Sequence, residues 1–517
     1  MGCCLSLSSR LNKPFSAINR TPGFERYKKY HEGKKQEEGD GKGGGGLGSF
    51  AGTCLVVNIL MGSGFLALPH LIQEAGLILG PLCVIVAHFI MRTTAIYEAD
   101  IMCRANAYAR ANLQPLKLAG MKRLPKKYLK VKNHAFTMSE MSEMFCGKRL
   151  LKVYISLLLF QIFFTLVGFT TVFSSTMSNY LSVPFMNGGQ TCQFSENTLS
   201  SDTGCSQLRC FWIVFLGVVV VPLSAKGIKE QIGFQVFMTF LRFLVAFTMA
   251  ATCLYAIVSG SHPFGKDVGV SQTFESSWSI QDYFNFGGVF HVFPVALFVQ
   301  TINAFVNLVA HDLEHKDNLG RILISGMTIT LLLYLSIGVT VAYYFYAGSI
   351  PQAANILWQS LVVDGAGNPL MTIAGFFVLL FPALDILSVF TINSINMASN
   401  MMAGWYHDRV DKAEQDRVIV LFFRLLSAVP PLLFGFWVDG NLDQVLALAG
   451  ATAIPVAMII PPYVNLVSQQ KICEELGFST AETPYSGWST NPWVLKAVIV
   501  LGTGLLTTTV AGIVLGR

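Results

Sequence analysis

The chain has 517 residues, of which 52% are hydrophobic and 13% are charged, and its formal net charge is +6. Soluble domains carry about 25% charged residues, so the composition excludes a soluble globular class and fits a protein embedded in a bilayer. The first 50 residues are polar and glycine-rich and contain no signal-peptide pattern, so the first span is expected to act as the insertion signal.

Stretches of about 20 apolar residues predict membrane-spanning helices, because that length crosses a hydrocarbon core of roughly 30 Å. Eleven such stretches occur, at about 49–76, 79–103, 151–182, 209–224, 230–258, 284–310, 322–347, 370–401, 417–438, 442–467 and 492–515. The predicted fold is therefore all-α and multi-pass. Residues 49–517 form the membrane domain, and residues 1–48 form a flexible tail.

The basic residues are distributed unevenly between the two sides of the predicted membrane domain. With the N-terminus in the cytosol, 29 of the 36 lysines and arginines fall in cytosolic segments, and only Arg209, Lys266 and Arg517 fall on the opposite side. This asymmetry predicts a cytosolic N-terminus. It also assigns the positive charge to the cytosolic face of a membrane protein, and no nucleic-acid partner is expected.

Two groups of residues predict covalent modification. The N-terminal sequence MGCCLS fits myristoylation of Gly2 and palmitoylation of Cys3 and Cys4, with a chance match as the alternative. Two acyl chains would pin the basic tail to the bilayer. Cys192 and Cys205 fall in or beside a predicted outer loop, where a disulfide between them fits an oxidising compartment and free thiols are the alternative.

The first predicted span contains the sequence NILMGSGFLALP at 58–69. Its glycines and its proline weaken a helix at mid-membrane. Because lipid cannot satisfy free backbone groups, such a break must be buried in protein or line a cavity. Free N–H groups there can hold a carboxylate, and free carbonyls can hold an ammonium or a cation. A tightly packed small-residue helix interface is the alternative interpretation.

The sixth predicted span is expected to be interrupted near its middle as well, since it contains Gly287, Gly288 and Pro294. Interrupted spans that lie five spans apart and run in opposite directions indicate a 5+5 inverted-repeat transporter. The substrate site is then expected between the two breaks near the bilayer midplane. Phe293 and Pro294 are the substrate-binding candidates from the sixth span.

Ionisable residues at membrane depth are costly and usually functional. Asp385, in the eighth predicted span, could carry a coupling proton as a neutral acid, or could form a structural ion pair with Arg242 of the fifth. The two roles are compatible. His291 is a second proton-relay candidate, with a hydrogen-bonded structural histidine as the alternative.

The pattern N-x-x-M-G-x-x-x-L-x-x-P at 58–69, followed by Ala75-Gly76, resembles the first span of the amino acid/auxin permease family. The resemblance extends over roughly 47–515 and includes the SEMFCG run before the third span and the PPY exit of the tenth. The MSEMSEM run and the arginine of the fifth span are more similar to an orphan branch of that family. The resemblance implies a LeuT-like fold of eleven spans and amino acid movement coupled to Na⁺ or H⁺.

The same resemblance implies which residues bind substrate and ion. The backbone of five consecutive residues would cradle the carboxylate and amine of the substrate, with the side chain of Asn58 assisting: Leu60, Met61, Gly62, Ser63 and Gly64. Ser388 and Thr391 lie on one helical face and would supply the hydroxyl ligands of a sodium site.

The sequence contains no Walker A, Gly-x-Ser-x-Gly or His-Glu-x-x-His motif, so neither an enzyme nor an ATP-driven pump is expected. No cofactor or metal is expected beyond a coupling ion. The breaks carry no charged side chain, which favours a zwitterionic substrate. The predicted function is secondary active transport of small zwitterionic amino acids, coupled to H⁺ or Na⁺, in the plasma membrane or an endolysosomal membrane. The alternative is a non-transporting amino acid sensor or scaffold, and the sequence leaves the oligomeric state open.

Overall fold

A computed structural model describes residues 47–113, 135–181, 203–226, 231–259, 279–345, 353–363, 369–406, 410–437, 442–476 and 482–515, together with a few isolated positions between these ranges. The described residues are almost entirely helical, and their one β feature is an isolated bridge between Leu47 and Leu313. The prediction of an all-α, multi-pass membrane protein is therefore confirmed.

Ten described helices are long and apolar enough to cross a membrane, and two shorter helices bent by 53° form an eleventh span. Spans 1 to 11 comprise Ser49–Leu60 with Leu68–Ala75, Leu79–Leu113, Lys148–Tyr180, Thr203–Ala225, Ile232–Ser259, Val289–Val299 with Val306–Asp312, Leu319–Tyr344, Pro369–Tyr406, Arg417–Gly435, Leu442–Ile454 with Ile460–Leu476, and Pro492–Leu515.

Shorter helical segments connect or interrupt the spans. The α-helical ones are Met138–Cys146, Ile280–Tyr283, Gln359–Val363 and Val410–Gln415. The 3-10 turns are Ser63–Ala67, Asn303–Phe305, Lys316–Asn318, Ala354–Trp358 and Trp488–Thr490. Span 10 contains a π-helical turn at Pro455–Ile459, which the sequence analysis did not predict. Proline lacks the N–H that an α-helix needs at that position, which favours the wider turn.

The spans pack in two groups. Spans 1, 2, 6 and 7 pack on one another, and spans 3, 4, 8 and 9 form the second group. Span 5 packs on spans 1, 7 and 8, and span 10 contacts both groups. Close approach of spans 1 and 7 depends on Gly326, where a Cβ atom would collide with the side chain of Val56. The two interrupted spans thus lie in the same group and are enclosed by protein.

Candidate functional site

The break in span 1 lies where the sequence predicts it. The first helix ends at Leu60, Met61 leaves the helical conformation (φ −81°, ψ 60°), and a 3-10 turn follows from Ser63. A Cβ atom at Gly62 would contact Phe169 of span 3. The interrupted backbone is therefore packed against protein, as the absence of water in a bilayer core requires.

Val299 of span 6 faces the same break, because a Cβ atom at Gly64 would collide with its side chain. Substitution at Gly64 would therefore push spans 1 and 6 apart. The predicted residues Leu60 to Gly64 thus lie at the contact between the two interrupted spans.

The break in span 6 begins at Gln300, near the middle of the predicted span 284–310 but after the two substrate-binding candidates of that span. A continuous helix runs from Val289 to Val299, so Phe293 and Pro294 are inside it and not at the interruption. At the end of this helix two side chains bind carbonyls of its last turns: Gln300 Nε2 donates to Ala296 O, and Thr301 Oγ1 donates to Leu297 O at 2.8 Å. Local side-chain bonds of this kind compete with the helix.

Tyr334 of span 7 joins the two breaks. Its hydroxyl donates to Leu60 O at 2.6 Å, with Val299 O as a second acceptor at 3.2 Å. These two carbonyls belong to the last residues of the first helices of spans 1 and 6. The side chain of Tyr334 is buried. One hydroxyl therefore contacts both helix ends, and Leu60 O also accepts from the Gly62 N–H at 2.9 Å.

Arg242 and Asp385 form an ion pair beside the first break. Arg242 Nη2 lies 2.5 Å from Asp385 Oδ1, and neither side chain has exposed surface. Arg242 Nη1 also donates to Asn58 Oδ1, one turn before the break. The pair therefore links spans 5 and 8 to span 1. Asn58 contacts Arg242 rather than the interrupted backbone, so its amide is already engaged.

Asn58, Arg242 and Asp385 form a polar cluster, and two further polar residues of span 5 belong to it. Thr239 Oγ1 donates to Asn58 Oδ1 at 2.6 Å, and Gln235 Oε1 accepts from Asn58 Nδ2 at 3.1 Å and from Ser388 Oγ at 2.8 Å. The Gln235 Nε2 amide has no hydrogen-bond partner among the described residues. A buried donor of this kind is costly unless a ligand or water meets it.

The predicted sodium ligands Ser388 and Thr391 are both buried. Ser388 donates to Gln235, and Thr391 Oγ1 donates to Leu387 O of its own helix at 2.8 Å. The positive charge beside Asp385 is the guanidinium of Arg242. Both hydroxyls therefore donate within the protein, and Gln235 and Asn58 connect Ser388 to the Arg242 guanidinium.

His291 is not beside the break. It lies in the first turn of span 6 with an exposed side chain, and its Nδ1 is 3.8 Å from Glu74 Oε2. Nine residues separate it from Gln300, which corresponds to about 14 Å along a helix axis. His291, the proton-relay candidate, therefore lies away from the interruption of span 6.

A second polar cluster surrounds the break of span 6, and the sequence analysis missed it. His88 Nδ1 contacts Gln300 Oε1 at 3.1 Å, and Asn303 Nδ2 donates to Glu98 Oε1 at 2.9 Å. Gln300 and Asn303 of span 6 are therefore both hydrogen-bonded to side chains of span 2. The signal for Glu98 was present, because it is an acidic residue inside the predicted span 79–103. Gln235 and Tyr334 carry no such signal, because neutral polar residues are common in spans.

The structure joins Cys192 and Cys205 by a disulfide. Gly2, Cys3 and Cys4, and almost all of the predicted tail at 1–48, lie outside the described residues.

The fold and the buried polar clusters define this chain as an integral, multi-pass membrane protein. No family model matches it. It is similar to two nematode proteins named Transmembrane protein 104 homolog. The one from Caenorhabditis elegans is 23% identical over 390 residues, covering 71% of this chain and 70% of the relative. The one from Caenorhabditis briggsae is 22% identical over 364 residues, covering 68% and 67%. Transmembrane protein 104 of Mus musculus is 19% identical over 487 residues, covering 86% and 92%.

These comparisons overturn the assignment to the amino acid/auxin permease family. The relatives carry the name of a different group, which states a membrane location and no activity, and no family model matches. Apart from Asn58, the pattern at 58–69 consists of glycine, proline and apolar residues. Any interrupted, buried span favours those residues for physical reasons, so the pattern does not specify a family.

Proposed function

We propose that this chain is a secondary carrier that moves a small zwitterionic amino acid together with H⁺. The observation that carries the proposal is the contact of two interrupted spans with one hydroxyl, where Tyr334 lies between Leu60 O and Val299 O. Carbonyls at helix ends are suitable acceptors for an ammonium group. The substrate ammonium takes the place of the Tyr334 hydroxyl on these carbonyls when the substrate binds.

The charges near the breaks favour a ligand without net charge. Residues 61–67 and 300–305 contain no acidic or basic side chain, and the nearby charges of Arg242 and Asp385 compensate each other. A strongly charged substrate would need an uncompensated counter-charge at this depth. A zwitterion needs only dipoles and paired charges.

The position of Arg242 favours H⁺ over Na⁺ as the coupling ion. The guanidinium contacts both Asn58 and Asp385, and Asp385 lies one helical turn before Ser388 on span 8. A second cation about 4 Å away would be repelled by roughly 4 kcal/mol at an effective dielectric constant of 20. Protonation of Asp385 would leave the Arg242 charge uncompensated, so the coupling proton of this proposal binds a carboxyl group away from the guanidinium, where this repulsion is absent.

The packing of the spans suits alternating access. The group of spans 1, 2, 6 and 7 can rotate against the group of spans 3, 4, 8 and 9, with the breaks inside the first group. The 5+5 inverted repeat is part of this proposal. So is a cytosolic N-terminus, which the basic residues and the disulfide of Cys192 and Cys205 support, since disulfides persist on the oxidising side. The plasma membrane and an endolysosomal membrane both fit that orientation.

The test is uptake of a radiolabelled amino acid mixture into proteoliposomes under imposed H⁺ or Na⁺ gradients. We expect uptake that an inward H⁺ gradient drives and that an equal Na⁺ gradient does not. Tyr334→Phe should change the KM several-fold. Tyr344→Phe on the same span should not, because the Tyr344 hydroxyl has no hydrogen-bond partner among the described residues. Absence of uptake by folded protein under every gradient would overturn the carrier.

A sensor is the second candidate, and Arg242 favours it. The resident guanidinium fills the position of a coupling cation, and a protein that only binds its ligand needs no coupling ion. The discriminating measurement is the thermal midpoint of purified protein with amino acids added. Stabilisation by a ligand without any uptake would support the sensor, since a ligand that binds the native state raises its midpoint.

A further inference from the structure

Glu98 of span 2 is a buried carboxyl group without a cationic partner. Its side chain is 2% exposed, and no lysine, arginine or histidine among the described residues forms an ion pair with it. Two arginines of span 2 each lie six residues from Glu98. Arg104 pairs with Asp100 at 2.7 Å and donates to Asn465, and Arg92 forms no ion pair with Glu98 among the described residues. An ionised carboxylate in such a position costs several kcal/mol, so the group must carry a proton.

The neighbours of Glu98 supply no charge that could replace this proton. Span 6 presents the neutral amide of Asn303, and span 3 presents Tyr154, the titratable group that interacts electrostatically with Glu98. The turn Pro455–Ile459 of span 10, which also packs on span 2, consists of apolar residues. The helix Ile460–Leu476 of span 10 packs on span 2 as well, and its one basic residue, Lys471, donates to Met144 O and forms no ion pair with Glu98 among the described residues. Span 7 packs on span 2 as well, and its one basic residue, Arg321, is exposed near the start of that span.

Asp385 differs in this respect. Its charge is compensated by Arg242 at 2.5 Å, so it can remain ionised without a proton. Of the two buried carboxyl groups near the breaks, Glu98 is the one whose burial requires protonation.

Glu98 is also connected directly to the interruption of span 6. Asn303 Nδ2 donates to Glu98 Oε1 at 2.9 Å, and Asn303 Oδ1 accepts from Thr94 Oγ1 at 3.3 Å. Asn303 is the first residue of the 3-10 turn that follows the break, and its side chain is buried. Loss of the proton would leave a carboxylate that one amide cannot stabilise, so water must reach it through movement of this turn.

We infer that Glu98 is a proton-binding site whose loading controls the interrupted segment of span 6. The step is a proton transfer in which the protonated carboxyl gives its proton to water and becomes a carboxylate when the turn at Asn303 opens. Its role in coupling rests on the proposed carrier function, with Glu98 and not Asp385 as the group that takes up the transported proton. The protonated state itself does not depend on transport.

The first test is infrared spectroscopy of the purified full-length protein at neutral pH. We expect a carboxylic acid C=O band that shifts on exchange into heavy water and loses the intensity of one carboxyl group per chain in Glu98→Gln. Asn303→Ala removes the hydrogen bond to that carbonyl, so the same band should move to higher frequency without disappearing. A band unchanged in both variants would overturn the inference, and Asn303→Ala decides alone if Glu98→Gln does not fold.

Transport of the same proteins tests the coupling separately. In Glu98→Gln, uptake should no longer respond to an imposed H⁺ gradient, whereas exchange of labelled for unlabelled substrate should continue. Unchanged H⁺ dependence in this variant would overturn the coupling role. If wild-type protein transports nothing, the carrier proposal fails, while the infrared band still supports or overturns the proton site.

Discussion

Replacing Asp385 by asparagine should destabilise the protein far more than replacing Asp385 and Arg242 together. The two charges lie 2.5 Å apart without exposed surface. Removal of one partner from such a pair costs about 3–5 kcal/mol, because the remaining charge stays buried without compensation. At roughly 2 °C per kcal/mol, the low end of the range for domains of 150–250 residues, Asp385→Asn should lower the Tm by about 6–10 °C.

The double variant Arg242→Gln/Asp385→Asn removes both charges and keeps polar groups of similar size. It should recover most of that loss, leaving roughly 1 kcal/mol for each hydrogen bond that is no longer made. The assay compares the apparent thermal midpoints of the wild type, the two single variants and the double variant. All four are heated at the same rate, and size-exclusion chromatography then measures the folded protein that remains. The expected coupling energy is several kcal/mol, well beyond the ~0.3–0.5 kcal/mol within which independent sites add.

The pH dependence of the two single variants gives a second, sharper outcome. Arg242→Gln leaves a carboxylate that a proton can neutralise, whereas Asp385→Asn leaves a guanidinium that cannot lose its proton at accessible pH. Folded Arg242→Gln therefore binds a proton that the unfolded chain binds only at lower pH, so its stability should fall as the pH rises. Asp385→Asn should show no such slope. Additive losses, or equal slopes in the two variants, would refute the assignment of a compensated buried pair.

Three further predictions follow from other contacts. Gly326→Ala should cost about 1–3 kcal/mol by overpacking spans 1 and 7, whereas Gly504→Ala, where a Cβ atom meets nothing within 4 Å, should be neutral in the same thermal assay. Cys205→Ser should cost about 3 kcal/mol, since the bridge closes a loop of 13 residues, and Cys210→Ser, at a free thiol, should cost little. Burial raises the pKa of the Cys146 thiol to about 11, so its maleimide labelling should be slow at pH 7 and rise about tenfold per pH unit, because the thiolate is the reacting form. A rate that reaches its plateau below pH 9 would contradict that value.

The sequence by itself determined the membrane class, the number of spans and the break in span 1. These features depend on local properties: the length of apolar stretches sets the spans, and two glycines around Ser63 remove helix-stabilising side chains at one place. The acidic residue inside span 2 was also visible in the sequence, although its partner was not.

Only the tertiary structure decided which polar groups meet. The break of span 6 follows Val299, whereas Pro294 lies inside a continuous helix, and the side chains of Gln300 and Thr301 bond back to carbonyls at the end of that helix. Tyr334 contacts a carbonyl 274 residues away in the chain, and Glu98 contacts an amide 205 residues away. Such contacts depend on how whole spans pack, and periodicity along one span holds no information about the residue that faces it from another.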